Sequence, residues 1–271
     1  MRRGGFVLRQ ARGIPVYSCR AFEKLGGLCH GFSTRRGGAT ALSECSLNLG
    51  YTAWDTPERV DQNRRRFLDA IRLDEARLVT LHQVHSNRVY IIRDNSGQWN
   101  QPEADGLITG MEGVALAVQT ADCLPALIAD PETKTIAAVH AGWRGTLAHI
   151  LPVTFGHMRT SFGVDPANLR VAVGPGIRSC CYEVGPEVAE LFDDEFPGAN
   201  LAAPAQAPGK YLLDLCRALE ADAHRAGIKP EYFNDSCLCT RCRGDEFFSY
   251  RAEGAGAGRM IAVIGRIPLT R

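Results

Sequence analysis

Apolar residues in this chain gather in short unbroken runs: LVTL at 78–81, RVYII at 88–92, VALAV at 114–118, LPALIA at 124–129, TIAAVH at 135–140, LRVAVG at 169–174 and MIAVIG at 260–265. A strand with one wet face alternates apolar and polar residues, whereas a strand covered on both faces reads as continuous Val, Ile, Leu and Ala. The runs predict strands of buried sheets. Helical periodicity is rarer. Thr56-Pro57-Glu58 offers an N-cap, a first-turn proline and an acid at the positive helix end, and Val60, Phe67, Leu68 and Ile71 then recur on one face. Further helices are predicted over 144–158, bent at Pro152, over 186–192 and over 212–226. The fold class that follows is α/β (α+β): a layered sandwich of mixed β-sheets flanked by helices, with residues 1–271 forming a single domain.

Composition narrows the function. With 45% apolar and 23% charged residues over 271 positions, the chain is globular and long enough for a sizeable core. The 31 Lys and Arg against 30 Asp and Glu leave no basic excess to hold a nucleic acid or an anionic membrane. The start, MRRGGFVLRQ, has no apolar stretch of signal-peptide length behind its basic residues, and no apolar run reaches transmembrane length. A soluble, cytoplasmic protein is expected. Charge is nonetheless uneven: residues 1–40 hold eight Arg or Lys against Glu23 alone, and residues 183–200 hold six acids and no base. These read first as solvated faces, with a partner-binding module or a homodimer as the macromolecular alternative.

Ten cysteines in a mid-sized chain with no export signal should stay reduced, serving packing, metal binding or catalysis. Cys237-x-Cys239-x-x-Cys242 contains a single CxxC with no fourth ligand nearby, Cys216 being a poor candidate, so a redox pair or plain packing is expected there. Vicinal Cys180 and Cys181 cannot easily bridge each other. GAGAG at 254–258 precedes a strand instead of joining a strand to a helix, and neither a P-loop nor a GxSxG elbow occurs. Dinucleotide binding, kinase-like ATP use and serine hydrolysis are therefore unsupported.

Chemistry-bearing residues fall together at strand ends: His82-Gln83-Val84-His85, Asp122-Cys123 between two apolar runs, and His140 at the end of TIAAVH. A rigid sheet presents such positions to a cleft. Two imidazoles and a thiolate suit zinc, and three protein ligands leave the fourth position open, as in catalytic sites. His85, Cys123 and His140 supply that set, although their separations of 38 and 17 residues are not a local metal motif. His82 is expected on the opposite face from His85 because of its three-residue offset on a strand-like run. Cys123 and His140 alone also read as a thiol nucleophile and its base, which points to a cysteine hydrolase as the alternative.

The stretches FSTRRGG (32–38), SLNLG (46–50), HQVHSNRV (82–89), EADGLIT (103–109), TADCLPALIAD (120–130), AAVHAGWRGT (137–146), VGPGIRSCCYEVGPEV (173–188) and FFSYRAEGAGAGRM (247–260) resemble, in the same order, the laccase-domain family. Its members were first described as multicopper polyphenol oxidases and are now regarded as zinc-dependent purine nucleoside phosphorylases. The resemblance implies that His85, Cys123 and His140 are the metal ligands, with Zn2+ as cofactor and copper able to load the same site in vitro. Ser86 stands where the family commonly has glycine.

The implied reaction is phosphate-dependent cleavage of the N-glycosidic bond of adenosine, inosine, guanosine or methylthioadenosine, with adenosine deamination at the same zinc site. A family of this kind also includes relatives linked to cell-wall precursor editing, which suits the hydrolase alternative. Phosphorolysis needs a bidentate cation for phosphate, for which Arg35 and Arg144 are the candidates. Asp105, Asp122 and Glu183 are candidate proton carriers, and Asn48, Gln83 and Tyr182 candidate purine or ribose contacts. A polyphenol oxidase ranks third, because seven histidines, four of them scattered at His30, His149, His157 and His224, cannot build a three-copper cluster beside a blue-copper site.

Overall fold

The computed structural model of the chain describes residues 5–41, 46–94 and 99–268. Its frame is two six-stranded mixed sheets packed face to face. The first runs, edge to edge, through Phe6–Ala11, Ile14–Cys19, Leu28–Ser33, Met260–Arg266, Val114–Thr120 and Arg77–Val79. The second runs through Phe233–Asp235, Arg170–Val173, Leu124–Ala129, Ile136–Ala141, Gly106–Thr109 and Val89–Ile92. Most neighbours are antiparallel, while Arg77–Val79, Val89–Ile92 and Phe233–Asp235 each join in parallel.

The unbroken apolar runs are explained by two-sided burial. In Val114–Thr120, Val114, Leu116 and Val118 enter the core between the sheets, and Ala115 and Ala117 enter a second core on the outer face. In Leu124–Ala129, Leu127 and Ala129 face the other sheet, whereas Leu124, Ala126 and Ile128 face helices. The period of two is present, but both phases are apolar.

Helix Pro57–Ala70 covers the first sheet with Phe67 and Leu68, and the Thr56 hydroxyl accepts from the Arg59 N–H as the sequence predicts. Helices Ile150–Phe162, Pro186–Glu195 and Leu215–Arg225 cover the second. A sandwich of mixed sheets flanked by helices results, as expected.

The differences are local. The helix expected over 144–158 is two helices, Trp143–Leu147 and Ile150–Phe162, broken where His149 takes a left-handed φ of 56°; Pro152 sits in the first turn of the second, where its missing N–H costs nothing. The helix expected from residue 212 starts at Leu215, capped by Asp214, because Tyr211–Leu213 pairs in a small three-stranded sheet.

Candidate metal centre

Two loops and a strand end meet at one end of the sandwich. Residues 80–88 lead into Val89–Ile92, residues 121–123 carry the chain from the first sheet to the second, and Ile136–Ala141 ends there before helix Trp143–Leu147. His140 lies opposite Pro125 in the ladder, two residues from Cys123. The ligand atoms of His85, Cys123 and His140 all lie within 4.8 Å of one another, and the two imidazole rings meet edge to face with centroids 4.9 Å apart. Gly142 passes directly beside them: a Cβ there would stand 3.0 Å from His85 Cδ2 and 3.1 Å from Cys123 Sγ.

Asp105 holds this arrangement together. It is fully buried, and one carboxylate oxygen lies 2.8 Å from His140 Nδ1, which aims the other ring nitrogen at the cluster. The same carboxylate accepts from the backbone N–H of His85 at 3.0 Å and of Ser86 at 2.6 Å, and from the Ser86 hydroxyl at 2.8 Å. These bonds stabilise His85 at a left-handed φ of 58°, which a β-carbon makes costly. Burial would raise the Asp105 carboxyl, but its bonds to His140 and Ser86 hold it down at about 2.

Burial likewise opposes charge at Cys123 and His140, yet each offsets it for the other. The Cys123 thiol is pulled below its ordinary value by His140 and His85, and the His140 imidazole is raised by Cys123 and Asp105. A ready thiolate beside two imidazoles, one oriented by a carboxylate through its far nitrogen, is the donor set of a metal centre. These residues fit a zinc or a copper ion.

The cluster forms the floor of a cavity of about 690 Å³, within the range of small-molecule sites. Tyr51, Gln101, Tyr182, Tyr250, Arg251 and Arg259 line its walls. His82 lines it too, contrary to expectation, since the 82–85 stretch is irregular backbone and the period-two rule does not apply. Burial pushes the Tyr182 hydroxyl up to about 12, so it is a neutral donor.

Among the other residues singled out from sequence, Gln83 and Asp122 line the cavity, but their polar atoms are engaged. Gln83 bonds both the carbonyl and the N–H of Gln119, at 2.8 and 2.7 Å. Asp122, at a left-handed φ of 93°, accepts from the Thr240 hydroxyl and the Arg251 N–H, both at 2.6 Å. Asn48 is fully buried; its amide bonds Gly50, Asp55 and the Arg259 N–H, so it positions the loop that carries Tyr51. The Glu183 carbonyl accepts from Arg251 at 2.8 Å, but its side chain is not in the lining.

Two arginines lie elsewhere. Arg35 pairs with Glu253, bonds the Gly244 carbonyl and stacks 4.4 Å over Phe248, which uses its guanidinium in packing. Arg144 is exposed, with its guanidinium 4.3 Å over Trp143 and outside the lining. The cavity's cations are instead Arg251 and Arg259, from the FFSYRAEGAGAGRM stretch, whose place near the cluster depends on contacts across more than 100 residues.

The family model described as multi-copper polyphenol oxidoreductase laccase matches residues 29–267. The chain belongs to this family. It is 39% identical over 238 residues to a purine nucleoside phosphorylase of Deinococcus radiodurans, covering 87% of this chain and 88% of that protein. The purine nucleoside phosphorylase YfiH of Escherichia coli is 35% identical over 86% of this chain and 91% of its own length. The crystal structure of YlmD from Geobacillus stearothermophilus superposes with a TM-score of 0.88 at 32% identity, covering 98% of this chain and all of that one. Relatives of this laccase-like family thus carry the phosphorylase name, and the fold is theirs.

Proposed function

We propose that the protein is a zinc-dependent purine nucleoside phosphorylase. The observation that carries this reading is a two-histidine, one-cysteine cluster on the floor of a cavity of about 690 Å³ that is walled by tyrosines and two arginines. Its substrates are adenosine, inosine, guanosine or methylthioadenosine, together with inorganic phosphate. A phosphate oxygen bonds to the anomeric carbon as the glycosidic bond breaks, and that bond's electron pair leaves on the purine.

Arg251 and Arg259 orient the phosphate through their planar guanidinium groups. Tyr51, Tyr182 and Tyr250 flank the base, with the Tyr182 hydroxyl as a donor. Asp122 acts by fixing Arg251 and Thr240, since both its oxygens are engaged. His82 is the lining imidazole outside the cluster and delivers the proton that the departing purine takes up. His85, Cys123 and His140 would hold zinc, which when bound supplies Lewis acidity and an acidified water, the chemistry that adenosine deamination also requires. A cytoplasmic location is part of this reading, and no described helix is long and apolar enough to cross a membrane.

A second reading has its own observation. Asp105, His140 and Cys123 stand in the order of a carboxylate–imidazole–thiol triad, the arrangement of a cysteine hydrolase. A multicopper oxidase has no such support: the described ligand clusters include none of His30, His149, His157 or His224.

Incubation of the protein with adenosine, with and without phosphate, tests the proposal. Adenine released only with phosphate supports phosphorolysis, and inosine supports deamination. Neither product in either tube overturns both. Turnover that survives chelation but not iodoacetamide favours the triad.

A further inference from the structure

A second group of thiols lies apart from the cavity floor. Cys180 and Cys181 sit in the turn after Ile177, and Cys239 and Cys242 in the turns that follow Leu238. Although some 60 residues separate the pairs in sequence, their four sulfur atoms all lie within 4.8 Å of one another. Cys242 Sγ is 3.5 Å from Cys180 Sγ and 3.3 Å from Cys181 Sγ. The expectation that the CxxC lacks further ligands is therefore corrected: the missing partners are the vicinal pair, brought in by the ladder-like contact between Gly176 and Cys239. Cys237 takes no part, since its sulfur turns to Asp235.

We propose that Cys180, Cys181, Cys239 and Cys242 form a structural zinc site of four thiolates. Four sulfurs bonded to zinc at about 2.3 Å in a tetrahedron stand roughly 3.8 Å apart, so the observed spacing needs only small side-chain adjustments to accept the ion. The Arg241 side chain lies beside Cys181, and the backbone at Arg178 and Cys242 lies beside Cys239, where their N–H groups would offset the double negative charge of a tetrathiolate zinc. A disulfide is the poorer solution. It would join Cys242 to one member of the vicinal pair and leave two thiols crowded against the bridge.

The site would clamp two walls of the cavity. One thiol pair precedes Tyr182 directly. The other flanks Thr240, whose hydroxyl holds Asp122 beside Cys123. The clamp stands independently of the proposed reaction.

The test is metal analysis of the full chain carrying His85→Ala, Cys123→Ala and His140→Ala together, which removes the cavity cluster. About one equivalent of zinc should remain after dialysis, and cobalt in its place should give the intense thiolate-to-metal absorption of a tetrahedral sulfur site. Adding Cys180→Ser and Cys242→Ser should abolish both signals. If that variant does not fold, the alkylation rate of the four thiols in the cluster variant gives the same answer: zinc should protect them and a chelator should expose them. A cluster variant that retains no metal and gives no cobalt spectrum, or a disulfide at Cys242 as the main species in the purified protein, would overturn the proposal.

Discussion

The proposed metal centre depends most on a residue outside its donor set. Asp105 orients the His140 ring and fastens the left-handed turn at His85, so one buried carboxylate positions two of the three proposed ligands. Asp105→Asn keeps the shape but loses an acceptor, and should weaken metal affinity by roughly 10- to 100-fold; titration with a chromophoric chelator measures it. Unchanged affinity would mean that the ligands are held by packing alone. At this scale the sequence was partly legible. Chemical type and placement at strand ends picked out His85, Cys123 and His140. The engagement of Gln83, Asp122 and Asn48 with backbone was hidden, because a polar side chain reads the same whether it meets substrate or a loop. The four-thiol cluster was hidden for another reason: each half is unremarkable until a distant half arrives.

At the scale of elements, the unbroken apolar runs located the central strands to within a residue or two at most ends, as LPALIA at Leu124–Ala129 illustrates. Of the edge strands, Arg77–Val79 and Val89–Ile92 overlap such runs, but Phe6–Ala11 does not: it includes Arg9 and Gln10, so its pairing rests on its neighbour and not on its own pattern. Arg36–Thr40, outside both six-stranded sheets, is mostly small or polar and was not legible either. Helix Pro57–Ala70 was legible because cap, proline and apolar stripe agree. Thr56→Ala should cost about 1 kcal/mol of stability through the lost cap, measured by urea denaturation, and leave zinc content unchanged, since the helix packs on the sheet face away from the other sheet. A variant that loses metal would link this helix to the site.

Across the whole molecule, stability carries a pH dependence set in the first sheet. His30 lies in Leu28–Ser33, 8% exposed, against the Phe22 ring, and its Nε2 accepts the Cys19 N–H at 2.8 Å. Burial lowers its pKa from 6.5 to about 4, outweighing the nearby Glu23. The unfolded chain therefore binds the proton first. The stabilisation is full above pH 6.5 and is lost as the pH falls toward 4, by up to roughly 3 kcal/mol. His30→Gln, which can still accept from Cys19, should lose less stability than the parent between those pH values in paired denaturation curves. Equal losses would assign the acid sensitivity to other groups.

Segments from the two sheets bring His85, Cys123 and His140 together at the base of the cavity, where the proposed metal ion would bind. Anomalous scattering at the zinc edge, measured on crystals of the zinc-supplemented full chain, decides whether it does. A peak within bonding distance of a ring nitrogen of His85, Cys123 Sγ and His140 Nε2 is the predicted result. The three side chains turned apart, with no peak between them, would rule out a metal centre there.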